Sequence, residues 1–141
     1  NDAVELAKEV DADGVHVGQD DMSVARARAI LGPDKIIGAS AHNVAEAVAA
    51  YQAGADYLGC GAVFGSATKT DASHLPEGEL ARVCAATPLP VVGIGGITEE
   101  NLPRLAGSGV AGVALVSALF APADKPAAVA RLLAALEKTL G

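Results

Sequence analysis

The sequence has no tryptophan, only two tyrosines and two phenylalanines, and only two cysteines in 141 residues. Cys60 and Cys84 are too far apart for a CxxC motif and have no His or Cys cluster around them, so neither zinc nor redox chemistry is indicated. We interpret them as buried free thiols of a reducing cytoplasm. No stretch approaches the ~20 apolar residues of a membrane span, and the first ten residues lack the pattern of a signal peptide. We therefore expect a cytoplasmic enzyme or binding protein with no membrane partner.

Positive charge is also scarce, because ten Lys and Arg stand against seventeen Asp and Glu, for a formal net charge of −7. No basic face is visible, which argues against a nucleic-acid partner. An acidic protein still binds anionic ligands where backbone amides, helix N-termini or a bound divalent cation supply positive potential. Net charge therefore does not identify the ligand.

Aliphatic residues and glycine dominate instead. Hydrophobic residues make up 51% of the chain, charged residues 19%, and there are 16 glycines. Disordered chains stay open because their hydrophobicity is low, so this composition excludes disorder. Since one domain takes about 100 to 200 residues, we predict a single domain over residues 1–141.

One unit repeats along the chain: a short apolar run followed by an Ala-rich amphipathic stretch of about ten to fifteen residues. Nearly every position in the runs is apolar, which is typical of strands buried on both faces of a parallel sheet. The predicted strands are Gly14 to Gly18, Lys35 to Ser40, Tyr57 to Val63, Pro90 to Gly95 and Gly112 to Ser117. The predicted helices are Asp2 to Val10, Met22 to Leu31, Asn43 to Ala53, Glu77 to Ala86, Glu99 to Ala106 and Lys125 to Leu140.

The loops at the two ends of the predicted strands differ. Before the strands, Gly14, Gly54 and Gly107 stand where a helix C-terminus favours a left-handed residue. After the strands, the loops are longer and more polar, which is typical of an α/β barrel or wound sheet with its chemistry at the strands' C-terminal ends. A complete barrel needs at least about 200 residues. We therefore predict an α/β fold, a TIM (β/α)8 barrel present as an N-terminally incomplete set of five βα units preceded by a helix.

Acidic side chains lie near the end of the first predicted strand. Gln19, Asp20 and Asp21 follow GVHVG, and Asp2 opens the first predicted helix at what should be the end of a neighbouring strand. Aspartate before a helix is often only an N-cap or a partner of the helix dipole. Two carboxylates that converge from adjacent strand ends can hold Mg²⁺, which binds one or two carboxylates plus waters and phosphate oxygens. Asp2 and Asp21 are therefore candidate metal ligands.

Two further regions have the composition of phosphate sites. Small hydroxyl residues flank a lysine in GSATKTD, residues 65–71, and can surround a phosphate. A solvated loop is the alternative. Consecutive glycines in GIGGIT allow the amide of Gly96 to approach a phosphate, although packing glycines are the alternative. Val116 and Ser117 end the last strand, and barrels of this kind often bind phosphate after their seventh and eighth strands.

Ser40 ends the second predicted strand, with His42 two residues on. Serine is common at the start of a helix, and no Ser-His-Asp arrangement follows from the spacing. His16 lies inside a predicted strand and His74 in a loop. For all three histidines we expect a structural or solvated role, and we predict no acyl-transfer nucleophile.

Several segments, taken in order, resemble the thiamine phosphate synthase family. They are NDAVELA, GVHVGQDD, IIGASAH, YLGCGAVFGSATKTDA, VVGIGGIT and VALVSALF. The resemblance covers nearly the whole chain and keeps the spacing, and HVGQDD and the Thr-Lys loop are its most specific parts. It implies a TIM barrel of thiamine biosynthesis, a transferase that joins hydroxymethylpyrimidine diphosphate to thiazole phosphate, giving thiamine phosphate and diphosphate.

The resemblance also implies roles for individual residues. The family's magnesium ligands match Asp2 and Asp21, and its diphosphate contacts match Asn1, Ser40 and Lys69, of which Ser40 and Lys69 are the catalytic candidates. In the family the diphosphate leaves before the thiazole nitrogen attacks, so Mg²⁺ and Lys69 neutralise the leaving group and no general base is required. The family's thiazole-phosphate contacts match Ser66, Thr68, Gly96, Val116 and Ser117.

The family's Gln and basic residues that hold the diphosphate and pyrimidine match nothing here, because they lie N-terminal to Asn1. We therefore expect this chain to form the thiazole-phosphate side of the site and to be inactive unless a partner segment supplies the rest. An N-terminal segment and a second copy of the chain are the protein partners left open, besides the small-molecule substrates.

Alternative functions remain open on the sequence. Thiazole tautomerase is a related barrel that binds the same thiazole phosphate but has no diphosphate to neutralise, so magnesium dependence separates the two. A non-catalytic module, either a ligand sensor or one chain of a split barrel, binds thiazole phosphate with no effect of Mg²⁺ and diphosphate. The hypothesis that the chain is another phosphate-binding barrel enzyme rests only on the GIGG and Val116–Ser117 features.

Overall fold

Parallel strands form one five-stranded sheet in the order β1-β2-β3-β4-β5. The computed structural model describes residues 1–65 and 74–141. The strands are β1 (Gly14–Val17), β2 (Ile36–Ala41), β3 (Tyr57–Gly61), β4 (Val91–Ile94) and β5 (Gly112–Ala114). The helices of these residues are α1 (Val4–Glu9), α2 (Val24–Leu31), α3 (Val44–Gln52), α4 (Glu79–Ala86), α5 (Ser117–Phe120) and α6 (Lys125–Leu140), with a 3₁₀ turn at Leu102–Leu105.

The register of the strands places several polar side chains on one face of the sheet. His16 pairs with Gly38, Gly38 with Tyr57, and Ser40 with Gly59. Paired residues of neighbouring strands share a face, and residues two apart on a strand do so too. His16, Ser40 and Tyr57 therefore lie on the same face, although they come from three different strands.

The helices pack on the opposite face and bury it. Ile37, Leu58 and Val91 on β2, β3 and β4 are fully or almost fully buried. Ala47 of α3 and Val83 of α4 are likewise buried against the sheet. This layer between helices and sheet is the hydrophobic core of the described residues.

The face of the sheet that carries His16 is called the inner face below. Its exposure contradicts the prediction that the strands are buried on both faces. Ile36 is 52% exposed and Ile94 is 41% exposed on this face. Within residues 1–65 and 74–141 the helices cover only the other face, and burial alternates along β1, β3 and β4. The prediction of double burial is therefore wrong for these residues.

Capping side chains explain where α2, α3 and α6 begin. Ser23, Asn43 and Asp124 accept hydrogen bonds from backbone N–H groups in the first turns of α2, α3 and α6. Such side chains satisfy N–H groups that have no partner inside the helix. Helix α6 has the predicted bounds, and α2 and α3 begin later than predicted because Ser23 and Asn43 are caps.

Other local predictions need correction. The helix predicted over Glu99 to Ala106 is only the 3₁₀ turn Leu102–Leu105, where Pro103 cannot donate a backbone hydrogen bond. The predicted strand from Gly112 ends at Ala114, and Ser117 begins α5 instead. Asp2 does not open a helix, since α1 begins at Val4.

The glycine loops before the strands are confirmed in part. Gly54 and Gly107 adopt positive φ angles of 92° and 73°. Gly14 instead lies in β1, and Asp11, with φ of 53°, is the left-handed residue after α1. Aspartate tolerates this conformation better than most residues other than glycine.

Arg28 connects the segments that follow α2 and α3 at the N-terminal ends of the strands, opposite the polar loops. Its guanidinium donates to the carbonyl oxygens of Gly32 at 3.1 Å and Gly54 at 2.9 Å, and it pairs with the Asp56 carboxylate at 2.6 Å. The same carboxylate accepts from the N–H of Ile37 at 2.7 Å. This cluster fixes the N-terminal ends of β2 and β3.

No helix in the described part of the chain has the length and apolar character needed to cross a membrane.

Candidate functional site

Two carboxylates meet beside the C-terminal end of β1. The backbone N–H of Asp2 donates to the carbonyl of His16 at 2.9 Å, and the N–H of Gly18 donates to the Asp21 carboxylate at 2.7 Å. The carboxyl of Asp2 lies within hydrogen-bonding reach of that of Asp21. Desolvation, followed by this hydrogen bond and the repulsion of Asp21, raises the pKa of Asp2 above its ordinary value.

Facing carboxylates of this kind fit a divalent cation, because the cation replaces their mutual repulsion by two attractions. Across residues 1–65 and 74–141, no group of three or more His, Cys, Asp or Glu side chains is placed to hold a metal. The described residues therefore offer a partial ligand set of two carboxylates. Mg²⁺ accepts such a set, since it keeps several waters and binds substrate phosphates.

A hydrogen-bonded row of side chains lies on the inner face next to this pair. His16 Nδ1 is 2.9 Å from the hydroxyl of Tyr57, and His16 Nε2 is 3.0 Å from Oγ of Ser40. Burial lowers the pKa of His16, although the carboxylates of Asp2 and Asp21 oppose this effect. The imidazole is therefore held neutral more readily than an exposed histidine.

Glycines on the neighbouring strands make room for these rings. A Cβ at Gly38 would lie 2.2 Å from Cζ of Tyr57, and one at Gly59 would lie 3.0 Å from Cε1 of His16. Any larger residue at Gly38 would displace Tyr57. The glycines of β2 and β3 thus shape the site by close approach of side chains.

Gln19 connects the loop after β1 to the end of β2. Its Nε2 donates to the carbonyl oxygen of Ser40 at 2.6 Å. This bond holds the loop that carries Asp21 against the strand that carries Ser40. Asn1 is exposed next to Asp2, and its backbone carbonyl accepts from Ala3 at 2.7 Å.

The glycine turn after β4 is built as a close backbone approach. Gly95 and Gly96 have φ angles of 98° and 67°, and a Cβ at Gly96 would lie 2.2 Å from the carbonyl oxygen of Phe64. Asn101 holds the turn from the other side, because its Nδ2 donates to the Gly96 carbonyl and its Oδ1 accepts from the N–H of Thr98, both at 2.8 Å. Only glycine fits position 96.

Val116 and Ser117 follow β5, which pairs with β4. Val116 is 68% exposed. A cavity of about 290 Å³ is lined by Ser117 and by Thr98 of the loop after β4. The structure therefore brings Ser117, a predicted phosphate contact, next to the loop that begins with the Gly95–Gly96 turn.

Predicted contact residues Ser66, Thr68 and Lys69 lie outside the described residues. A larger cavity of about 810 Å³ opens beside Gly65, between α4 and the 3₁₀ turn. No predicted site residue of the described part of the chain lines it, so we do not assign the site there.

Sequence reasoning missed the hydrogen-bonding roles of His16, Tyr57 and Gln19. The alternation of polar side chains with glycine on β2 and β3 is the signal that could have revealed an open inner face. His42 instead pairs with Glu46 at 2.9 Å, one helical turn away, at the exposed start of α3. His74 is exposed. Cys60 and Cys84 are free thiols. Cys60 is fully buried, as predicted, whereas Cys84 is only partly buried, so the prediction of a buried thiol is wrong there.

The sequence matches the family model described as thiamine monophosphate synthase over residues 1–119. A thiamine-phosphate synthase of Methanobrevibacter smithii is 48% identical over 120 residues, which cover 85% of this chain and 57% of the relative. A thiamine-phosphate synthase of Ruminiclostridium cellulolyticum is 45% identical over 133 residues, covering 94% of this chain and 63% of the relative. The chain thus spans about three-fifths of the length of these curated relatives.

A solved structure gives the same result. The thiamine phosphate pyrophosphorylase from Pyrococcus furiosus superposes with a TM-score of 0.88 at 40% sequence identity. The match covers 99% of this chain and 67% of that structure. The order of strands and helices described above is therefore shared with that solved structure.

Proposed function

Because the chain belongs to the thiamine monophosphate synthase family, we propose that it forms the site where hydroxymethylpyrimidine diphosphate is joined to thiazole phosphate. The products are thiamine phosphate and diphosphate, and the protein is a transferase of thiamine biosynthesis. We also propose that the five-stranded parallel sheet is part of a (β/α)8 barrel. The parallel order and the TM-score of 0.88 support this architecture.

The observation that carries the proposal is the convergence of the carboxylate pair and Ser40 on one residue, His16. Asp2 bonds the backbone of His16 at 2.9 Å, and Ser40 bonds its ring at 3.0 Å. A pair of carboxylates for a cation thus lies beside a hydroxyl that can donate to an anion. Such a combination fits a magnesium-bound diphosphate better than it fits a magnesium ion alone or a diphosphate alone.

Asp2 and Asp21 are the proposed ligands of Mg²⁺. When bound, the ion supplies charge neutralisation to the departing diphosphate. Ser40 donates a hydrogen bond to the diphosphate, and Lys69 adds a point charge to it. Asn1 is the further proposed diphosphate contact.

The thiazole phosphate is proposed to bind at the ends of β4 and β5. The proposed donor at the end of β4 is the backbone amide of Gly96 in the tight turn, and Ser117 lines the neighbouring cavity. A phosphate at this place receives donors from two adjacent strand ends, as in other barrels. The full set of proposed contacts is Ser66, Thr68, Gly96, Val116 and Ser117.

Calorimetry with thiazole phosphate, with and without Mg²⁺ and inorganic diphosphate, tests the proposal, alongside turnover of both substrates. We expect thiazole phosphate to bind and Mg²⁺ with diphosphate to bind beside it. Asp21→Asn should remove the effect of Mg²⁺ and leave thiazole-phosphate binding nearly unchanged, because the two subsites use different strand ends.

Asp20→Asn is the matched control, since Asp20 is the exposed neighbour of Asp21 and removal of its charge should leave the Mg²⁺ effect intact. An equal loss in both variants would contradict the assignment of Asp21. Thiazole-phosphate binding with no effect of Mg²⁺ or diphosphate would favour a tautomerase or a binding module instead.

A further inference from the structure

His16 contacts a hydroxyl group through each of its ring nitrogens, at 2.9 Å from Tyr57 and 3.0 Å from Ser40. Neutral imidazole has one N–H donor and one acceptor nitrogen. One of the two hydroxyls must therefore donate to the ring, and the other must accept from it. The hydroxyl that accepts keeps its own hydrogen for another partner.

The chemistry of the two hydroxyls decides between these arrangements. A phenol is more acidic than an aliphatic alcohol, so it is the better hydrogen-bond donor. Its oxygen lone pair is delocalised into the ring, so it is the poorer acceptor. Tyr57 therefore donates to Nδ1 of His16, and the proton of the imidazole lies on Nε2, where it donates to Ser40.

We propose that Tyr57 and His16 are positioning residues that orient Ser40 as a hydrogen-bond donor toward an anionic oxygen of the ligand. With the Nε2 hydrogen on its Oγ, Ser40 cannot donate to His16 and directs its own hydrogen elsewhere. Within the described part of the chain, His16 is the only side-chain partner of Ser40 Oγ. This is opposite to a serine nucleophile, whose hydroxyl donates to the histidine.

The surroundings fix this arrangement. Gly38 and Gly59 admit the two rings at close range, and Gln19 holds the backbone carbonyl of Ser40 at 2.6 Å. That the anion is a diphosphate rests on the proposed function, whereas the direction of the hydrogen bonds does not.

Nitrogen NMR of the His16 ring tests the direction of the hydrogen bonds without any ligand. We expect Nε2 to carry the proton in the unaltered protein and in Ser40→Ala. Tyr57→Phe should give a mixture of both tautomers, because Nδ1 loses its donor. Tyr51→Phe is the matched control, since Tyr51 is exposed on α3 and should not change the ring. A proton on Nδ1 in the unaltered protein would overturn the proposal.

A double-mutant cycle measures the consequence for binding, with inorganic diphosphate and Mg²⁺ as the probe. Ser40→Ala should weaken binding roughly tenfold or more, the usual effect of losing a hydrogen bond to a charged group. In the Tyr57→Phe background the same change should cost only a few-fold, because Ser40 then donates part of the time to His16. Additive effects, within about twofold, would show that Tyr57 acts only in packing and would overturn the relay.

Failure of the two proposals can be told apart. No binding of diphosphate by the unaltered protein would contradict the proposed function, while the nitrogen spectrum of His16 would still decide the orientation of Ser40. Normal diphosphate binding together with an Nδ1 proton would contradict only the relay.

Discussion

Replacement of Gly96 by alanine isolates the role of close backbone approach in the phosphate site. Gly96 has φ of 67°, and an added Cβ would lie 2.2 Å from the Phe64 carbonyl oxygen. Gly107 provides a matched control, because its φ is 73° and a Cβ there would meet nothing within 4 Å. The two variants share the conformational penalty and differ in the steric one.

The expected costs follow from these contacts. A left-handed alanine costs about 1–2 kcal/mol in either position. At Gly96 the methyl group overlaps a backbone atom that cannot rotate away, which adds about 1–3 kcal/mol of overpacking. We therefore expect Gly96→Ala to lower the free energy of unfolding by roughly 2–5 kcal/mol and Gly107→Ala by roughly 1–2 kcal/mol.

Urea unfolding measures the stability difference, and calorimetry measures thiazole-phosphate binding. Gly96→Ala should weaken binding about tenfold or more, because the displaced amide no longer donates to the charged phosphate. Gly107→Ala lies at the other end of the 3₁₀ turn and should bind normally. Equal unfolding free energies, or unchanged phosphate affinity in Gly96→Ala, would refute the reasoning.

Three further predictions concern single side chains. Burial alone would raise the pKa of Asp56, but the N–H of Ile37 and the guanidinium of Arg28 outweigh it and lower the pKa from 3.8. The stability gained is present above pH 3.8 and is lost as the pH falls through the lower pKa of the folded state. Asp56→Asn should therefore cost about 1 kcal/mol at neutral pH, and urea unfolding at acidic pH should show the difference shrinking; a constant difference would contradict this. Ser117→Ala should weaken thiazole phosphate by ~1 to 3 kcal/mol in calorimetry, and a change in diphosphate affinity alone would speak against its assignment. Burial raises the pKa of the Cys60 thiol to about 12, so mass spectrometry should find it alkylated only on unfolding; rapid labelling of the native protein would disagree.

The arrangement of strands and helices was predictable because its signals are local. Apolar runs and glycine loops such as the one at Gly54 each act within a few residues. The 3₁₀ turn was missed because Asn101 binds the glycine turn and Pro103 removes a donor, so the apolar spacing there does not reflect a helix. Burial on both faces was wrongly predicted because an apolar run does not show which face a neighbouring layer covers.

The part of the candidate site that could be predicted consists of residues whose type and place at a strand end indicate their chemistry. Asp2 and Asp21 were expected to converge from their places at strand ends, and Asp21 is among the causes that raise the pKa of Asp2. Their role as metal ligands stays a prediction. The network of His16 depends on the register of three strands, and its partner Tyr57 lies 41 residues away. No spacing rule connects such residues, because only the pairing of β1 with β2 and of β2 with β3 brings them together.

The cluster around Arg28 has a consequence for how changes in this protein combine. It ties the N-terminal ends of β2 and β3, whereas Ser40 lies near the C-terminal end of β2, four residues after Ile36. Ile37, whose N–H donates to the cluster, lies three residues before Ser40, so at about 3.3 Å per residue these groups are about 10 Å apart. Effects of substitutions at sites so separated usually add. The end that holds the strands together can therefore be strengthened to offset destabilising changes made at the end that faces the ligand.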